Sequence, residues 1–128
     1  QNTAYEIMPR LLGAEMCIRD RDYLTGFSGN GRRILIFGDM FELGKESREH
    51  HIKVGRKCAE SDLDLVFTVG DETIATGQSI SNGPNHAHFD NKEDLIKELK
   101  SEIMEGDKIL VKGSRGMAME TIIDTLMK

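Results

Sequence analysis

The chain has 128 residues, enough for one domain that buries a core without metal or disulfide staples. Hydrophobic residues make up 38% and charged residues 30%, and a net charge of −5 argues against the clustered basic surface that nucleic acid requires. No apolar run approaches the roughly 18 residues that span a bilayer, and the N-terminus lacks the basic-then-apolar order of a signal peptide, so neither nucleic acid nor membrane is expected as a partner.

The first segment is irregular. Residues 1–13, including Tyr5 to Leu12, read either as genuine helix or as the product of a wrong join. Residues 14–21, Ala-Glu-Met-Cys-Ile-Arg-Asp-Arg, resemble the in-frame translation of a transposon-end sequencing adapter. On that reading residues 1–21 are a leader outside the fold, with 14–21 adapter-like, and the domain proper spans residues 22–128. Cys17 then carries no information. Cys58 has no partner in a metal or redox spacing, and a reducing, cytoplasmic setting is the simplest expectation.

From Arg32 onward the pattern is regular. Arg33-Ile-Leu-Ile-Phe-Gly38 is a short apolar run ending in glycine, the profile of a buried strand, and Leu65 to Gly70 and Lys108 to Gly113 repeat it. His86 to Phe89 is a weaker strand. Helices are expected over Ser47 to Glu60, with Ile52, Cys58 and Ala59 apolar and Gly55 weakening it, and over Thr73 to Ile80. Another, capped by Asp90 or Asn91, carries Leu95, Ile96, Leu99 and Ile103 on one face; the last carries Met119, Ile122, Ile123 and Leu126. Strands alternating with helices give a Rossmann-like, doubly wound α/β fold with a mostly parallel sheet and helices on both faces.

Each strong strand ends in glycine followed by a polar residue: Gly38-Asp39, Gly70-Asp71 and Gly113-Ser114. Ligands of open parallel sheets bind beyond the carboxyl ends of the strands, so Asp39, Asp71, Ser114 and Arg115 should share one edge. Ordinary βα turns also favour Gly and Asp. Lys112-Gly-Ser-Arg-Gly116 is the richest turn, with two cations and a hydroxyl ahead of a helix expected to begin near Met117, and it suits a carboxylate or phosphate. The chain holds no Gly-x-x-x-x-Gly-Lys-Ser/Thr run and no Gly-x-Gly-x-x-Gly after its first strand, so a self-sufficient nucleotide enzyme is not expected. His50 and His51 point about 100° apart on a helix and chelate poorly. His86 and His88 would share a strand face but have no third ligand nearby, so no metal site is expected.

The run Arg32 to Gly44, with Gly-Asp-Met-Phe-Glu-Leu-Gly at its end, resembles the opening of the third, C-terminal domain of the Mur ligase family. The resemblance continues through Glu46, Ser47, His51, Gly55 and Phe67-Thr-Val-Gly70 to Val111-Lys-Gly-Ser-Arg-Gly-Met117, covering about residues 22–128. It implies an ATP-dependent amide-bond ligase of peptidoglycan synthesis, in the branch that adds D-alanyl-D-alanine to the UDP-N-acetylmuramoyl-tripeptide by way of an acyl phosphate. It implies ATP and Mg2+ as cofactors of the full-length parent, none bound by this domain alone, and N-terminal and central domains of the same protein as partners. By the same resemblance, Lys112, Ser114 and Arg115 would face the acceptor, with Arg115 or Lys112 near its carboxylate. Asp39, Met40 and Glu42 would form an interface loop, with Asp71 a further rim residue and no catalytic residue in this part. The family's Asp-x-Tyr-Asn-x-Asn-Pro motif, which precedes this domain, is not matched by Tyr5 to Arg21; Asp22 to Phe27 resumes the expected chain.

Two other readings remain open on the residues: a stand-alone α/β domain binding a small anion or nucleotide, and a sister Mur or folylpolyglutamate-type ligase domain. The leader reading has its own check. The DNA encoding Glu15 to Arg21 is expected to match the transposon-end adapter, and unrelated codons there would end that reading.

Overall fold

The structure is a computed structural model that describes residues 5–8, 32–41, 43–104 and 106–126. Its strands are β1 (Tyr5–Met8), β2 (Arg33–Gly38), β3 (Leu65–Val69), β4 (Asn85–Phe89) and β5 (Asp107–Lys112). Its helices are α1 (Ser47–Ala59), α2 (Ile74–Gln78), α3 (Lys92–Glu102) and α4 (Glu120–Leu126), with 3-10 turns at Gly44–Glu46 and Arg115–Met117. All strand pairs are parallel, in the order β1-β5-β2-β3-β4. The expected doubly wound α/β architecture is therefore present. Tyr5–Met8 pairs with Asp107 to Leu110 as a strand, which corrects the helical reading of that stretch. The adapter-like residues 14–21 lie outside the described residues.

Alternation along each strand divides the core into two layers. Ile34, Ile36, Phe67, Val69, Ile109 and Val111 face Leu95 and Leu99 of α3 and Ile122 and Ile123 of α4. Leu35, Phe37, Val66 and Leu110 face Val54 and Cys58 of α1 on the other side. Asn91 caps α3, its side chain accepting from the Asp94 N–H at 2.8 Å. Of the three apolar residues noted in the sequence of α1, Cys58 is buried, while Ile52 and Ala59 are half-buried; the buried stripe is His51, Val54, Gly55 and Cys58. Spacing of three and four puts those residues on one helical face, and a polar His belongs to it because both ring nitrogens find partners. Gly55 is the contact point of α1 with α2: a Cβ there would stand 2.3 Å from the Thr76 carbonyl oxygen. Burial pushes the Cys58 thiol up to about 12, so it stays protonated and acts as a small apolar side chain.

The amino end of the sheet is pinned by charge. Asp107, 1% exposed, accepts two parallel bonds from Arg32, Nε to Oδ1 at 3.1 Å and Nη2 to Oδ2 at 2.8 Å. Arg32 Nη2 also reaches the Glu102 carbonyl at 2.7 Å, and Asp107 accepts from the Met104 N–H at 2.8 Å. Hydrogen bonding to Asp107 is the chief cause that raises the Arg32 guanidinium above its usual value. Asp107→Ala is expected to cost about 2 kcal/mol in urea unfolding, below the figure for a fully buried pair because Arg32 can rehydrate. A change within experimental error would show that the pair does not hold this edge.

Candidate functional site

The chain runs outward from β2 through β3 to β4, then returns to place β5 on the other side of β2. The order therefore reverses between β2 and β5, and ligands of such sheets bind beyond the strand ends at that reversal. Register brings the turns level: Gly38 pairs with Val69, and Phe37 pairs with Lys112. The three glycine-ended strands thus deliver their following residues to one rim, as their spacing predicts.

Hydrogen bonds stitch the rim together. The Ser114 N–H donates to the Asp39 carbonyl at 3.0 Å, and the Phe41 N–H donates to Ser114 Oγ at 2.5 Å. Those bonds close the β2–β5 gap. On the other side, Asp39 Oδ1 accepts from the Thr73 N–H at 2.9 Å. Gly70 has φ +114°, and a Cβ there would meet the Asp39 carboxylate at 2.5 Å, so the β3 turn requires glycine to let that carboxylate in. Gly38 and Gly113 are occupied differently. The Met119 side chain fills the space above both, so no room for close approach of a ligand remains on that face.

Asp39 is on the rim but 5% exposed, and its carboxylate is committed to Thr73, so it pins loops from beneath. Met40 is half-buried and donates its N–H to His51 Nε2 at 3.1 Å. Asp71 is exposed and lines an open depression of about 320 Å³ together with Asp39, Met40, Phe41, Leu43, Gly44, Ser47 and Glu72. Glu42 lies outside the described residues. Lys112 is 2% exposed, a correction to the expected pair of outward cations: strand parity puts it on the covered face with Leu110. Ser114 is half-buried, and a hydroxyl that accepts from Phe41 keeps its own proton to donate. The Arg115 backbone opens the 3-10 turn; its side chain lies outside what the structure describes.

The helix expected from Met117 starts later. After the 3-10 turn Ala118 takes φ 48°, and α4 begins at Glu120, whose own carboxylate sits in the first turn. A helix-terminus anion site directly after Arg115 is therefore not formed. Lys92 explains the break, because its Nζ donates to the Met117 carbonyl at 2.8 Å, the Ala118 carbonyl at 3.2 Å and Thr121 Oγ1 at 3.0 Å. Sequence reading missed Lys92, and it gave His51 only as a poor chelator and a point of resemblance, without its tie to Met40. His51 was legible from the 51-54-55-58 stripe; Lys92, which acts across 25 residues on Met117, had no local signal. His88 Nδ1 lies 2.8 Å from Thr68 Oγ1, and among the described residues no cluster of three or more His, Cys, Asp or Glu could hold a metal ion. No helix among them is long and apolar enough to cross a membrane.

The fold and rim define a doubly wound α/β domain whose candidate site lies where its strand order reverses. Residues 21–115 match the family model described as Mur ligase, glutamate ligase domain. The chain belongs to the Mur ligase family. It is 40% identical over 100 residues to the UDP-N-acetylmuramoyl-tripeptide–D-alanyl-D-alanine ligase of Escherichia coli K12, across 77% of this chain and 22% of the relative. The Bacillus subtilis ligase of the same name is 31% identical over 99% of this chain and 27% of its own length. Among solved structures, MurF ligase from Thermotoga maritima in complex with ADP aligns with a TM-score of 0.66 and 26% identity, over 82% of this chain and 23% of that one. MurF from Acinetobacter baumannii gives 0.63 and 30%, over 77% and 23%. The chain thus spans roughly a quarter of the length of the proteins it matches.

Gly70→Ala tests the rim's construction. It should cost at least about 2 kcal/mol in urea unfolding and speed exchange of the Thr73 amide, since the methyl group displaces the Asp39 carboxylate. A variant as stable as the parent, with Thr73 still protected, would refute the Asp39–Gly70 contact.

Proposed function

We propose that residues 22–128 form the C-terminal domain of an ATP-dependent amide ligase that joins D-alanyl-D-alanine to UDP-N-acetylmuramoyl-tripeptide in peptidoglycan synthesis. The observation that carries this reading is the pairing of a Mur ligase match over most of the domain with relatives named for that reaction. In such a ligase, ATP converts the tripeptide carboxylate to an acyl phosphate, and the dipeptide amine displaces phosphate from it. This domain's part is to close over that centre and hold the acceptor. Ser114 and Arg115 lie at the sheet reversal, and a guanidinium can grip the free carboxylate of the dipeptide with two parallel bonds. Lys112, buried behind them, supports the turn from within. Asp39, Met40 and Glu42 form the loop that meets the rest of the enzyme, with Asp71 beside it.

The residues present do not fit a triphosphate–Mg2+ site by themselves. The chain has no glycine-rich phosphate loop, and the Asp39 carboxylate, the most central acid of the rim, is taken up by Thr73. The phosphate loop and the Mg2+ site are accordingly assigned to the central domain, with this domain helping to close the ATP and acceptor site, the whole enzyme acting in the cytoplasm and this domain alone inactive.

In the full-length enzyme, Arg115→Ala is expected to raise the KM for D-alanyl-D-alanine by about tenfold to a hundredfold, the equivalent of one charge-assisted contact. Unchanged kinetics would remove Arg115 from the acceptor site. Tight ATP binding by the isolated chain in calorimetry would favour a stand-alone nucleotide-binding domain instead.

A further inference from the structure

His51 is fully buried on α1, with its ring against Phe37 at a centroid distance of 5.7 Å. Its Nδ1 lies 2.7 Å from the Ser47 carbonyl oxygen, which can only accept, so Nδ1 carries the proton. Its Nε2 lies 3.1 Å from the Met40 nitrogen, whose N–H donates, so Nε2 presents its lone pair. One neutral tautomer satisfies both contacts. Ser47 Oγ stands 3.4 Å from Nδ1 and donates to Glu72 Oε1, leaving its lone pairs toward the ring N–H. The donors therefore run one way: Met40 to His51, His51 to Ser47, Ser47 to Glu72 at the mouth of the depression.

Met40 sits between the two residues that hold the rim together. Asp39 binds Ser114 and Thr73, and Phe41 binds Ser114 Oγ. Fixing the Met40 amide fixes the backbone that aims all three bonds. We infer that His51, as the neutral Nδ1–H tautomer, is a positioning residue that sets the Asp39–Phe41 segment and, through it, Ser114. Only the kinetic part of this inference rests on the ligase reading.

The test uses the 15N-labelled 128-residue chain. Long-range proton–nitrogen spectra at neutral pH should show a protonated Nδ1 and an unprotonated, hydrogen-bonded Nε2 for His51. In H51Q a side-chain carbonyl can accept from Met40, so the amides of Met40, Phe41 and Ser114 should keep their positions. In H51L they should move, while those of Arg32 and Asp107 at the opposite edge stay in place. In the full-length ligase, H51L should lower kcat/KM for D-alanyl-D-alanine by about tenfold to a hundredfold, with H51Q restoring it. An Nε2–H tautomer, rim amides unmoved in H51L, or H51Q as disturbed as H51L would each overturn the inference. Should H51L fail to fold, the tautomer and H51Q decide. A full-length wild-type protein without ligase activity would overturn the proposed function, and the spectra would still decide the role of His51.

Discussion

Through one residue, Asp39, the ends of three neighbouring strands become a single edge. Its backbone carbonyl accepts from Ser114 after β5, and its carboxylate accepts from Thr73 after β3. Neither bond is worth much alone, about 1 kcal/mol net for a neutral pair and somewhat more with a charged acceptor. Their importance lies in burial, because at 5% exposure an unmet carboxylate would bear its full desolvation cost. The turns must therefore keep their places for the carboxylate to be tolerated. Gly70 is part of the same constraint, since only a residue without a side chain admits the carboxylate beside it.

What could be read from sequence divides along the range of the interactions involved. The runs Arg33 to Gly38 and Leu65 to Gly70 announce buried strands because alternation and apolarity are local properties, and the structure keeps them within a residue. The level placement of Asp39, Asp71 and Ser114 follows once the sheet is parallel. The roles of the same residues do not follow. Asp39 reads from sequence as a rim and interface-loop residue, and nothing local shows that its carboxylate accepts from Thr73, 34 positions away. Lys112 looked like an outward cation, although strand parity with Leu110 already placed it on a face that α1 covers. The start of the last helix was misread by three residues because Lys92, on another helix, draws the Met117 and Ala118 carbonyls to itself.

The two ends of the sheet are built on different principles. At the amino end, Arg32 and Asp107 join side chain to side chain in a fork whose geometry tolerates little change. At the carboxyl end, the ties are single bonds donated by backbone N–H groups of Ser114, Phe41, Met40 and Thr73, the last three to side-chain acceptors. Such ties fix where the chain runs and leave side chains such as that of Asp71 exposed. A ligand site benefits from that division, because a rim held by its backbone keeps its shape while side chains at its surface make contacts.

Acidic residues gather on one side of the same rim. Asp39, Asp71 and Glu72 line the depression on the β3 side of the Asp39–Phe41 segment, whereas Ser114 and Arg115 follow β5 on the other. An anion is repelled from the first side, and a chain of net charge −5 offers it little attraction at long range. Whatever grip the Ser114–Arg115 turn has must then come from short contacts made after the ligand is already in place. In the proposed ligase this rim contributes by arriving with its geometry preset. Preset geometry is what the His51–Met40 and Asp39–Ser114 bonds supply, so the buried tie beneath the rim and the exposed turn above it belong to one device.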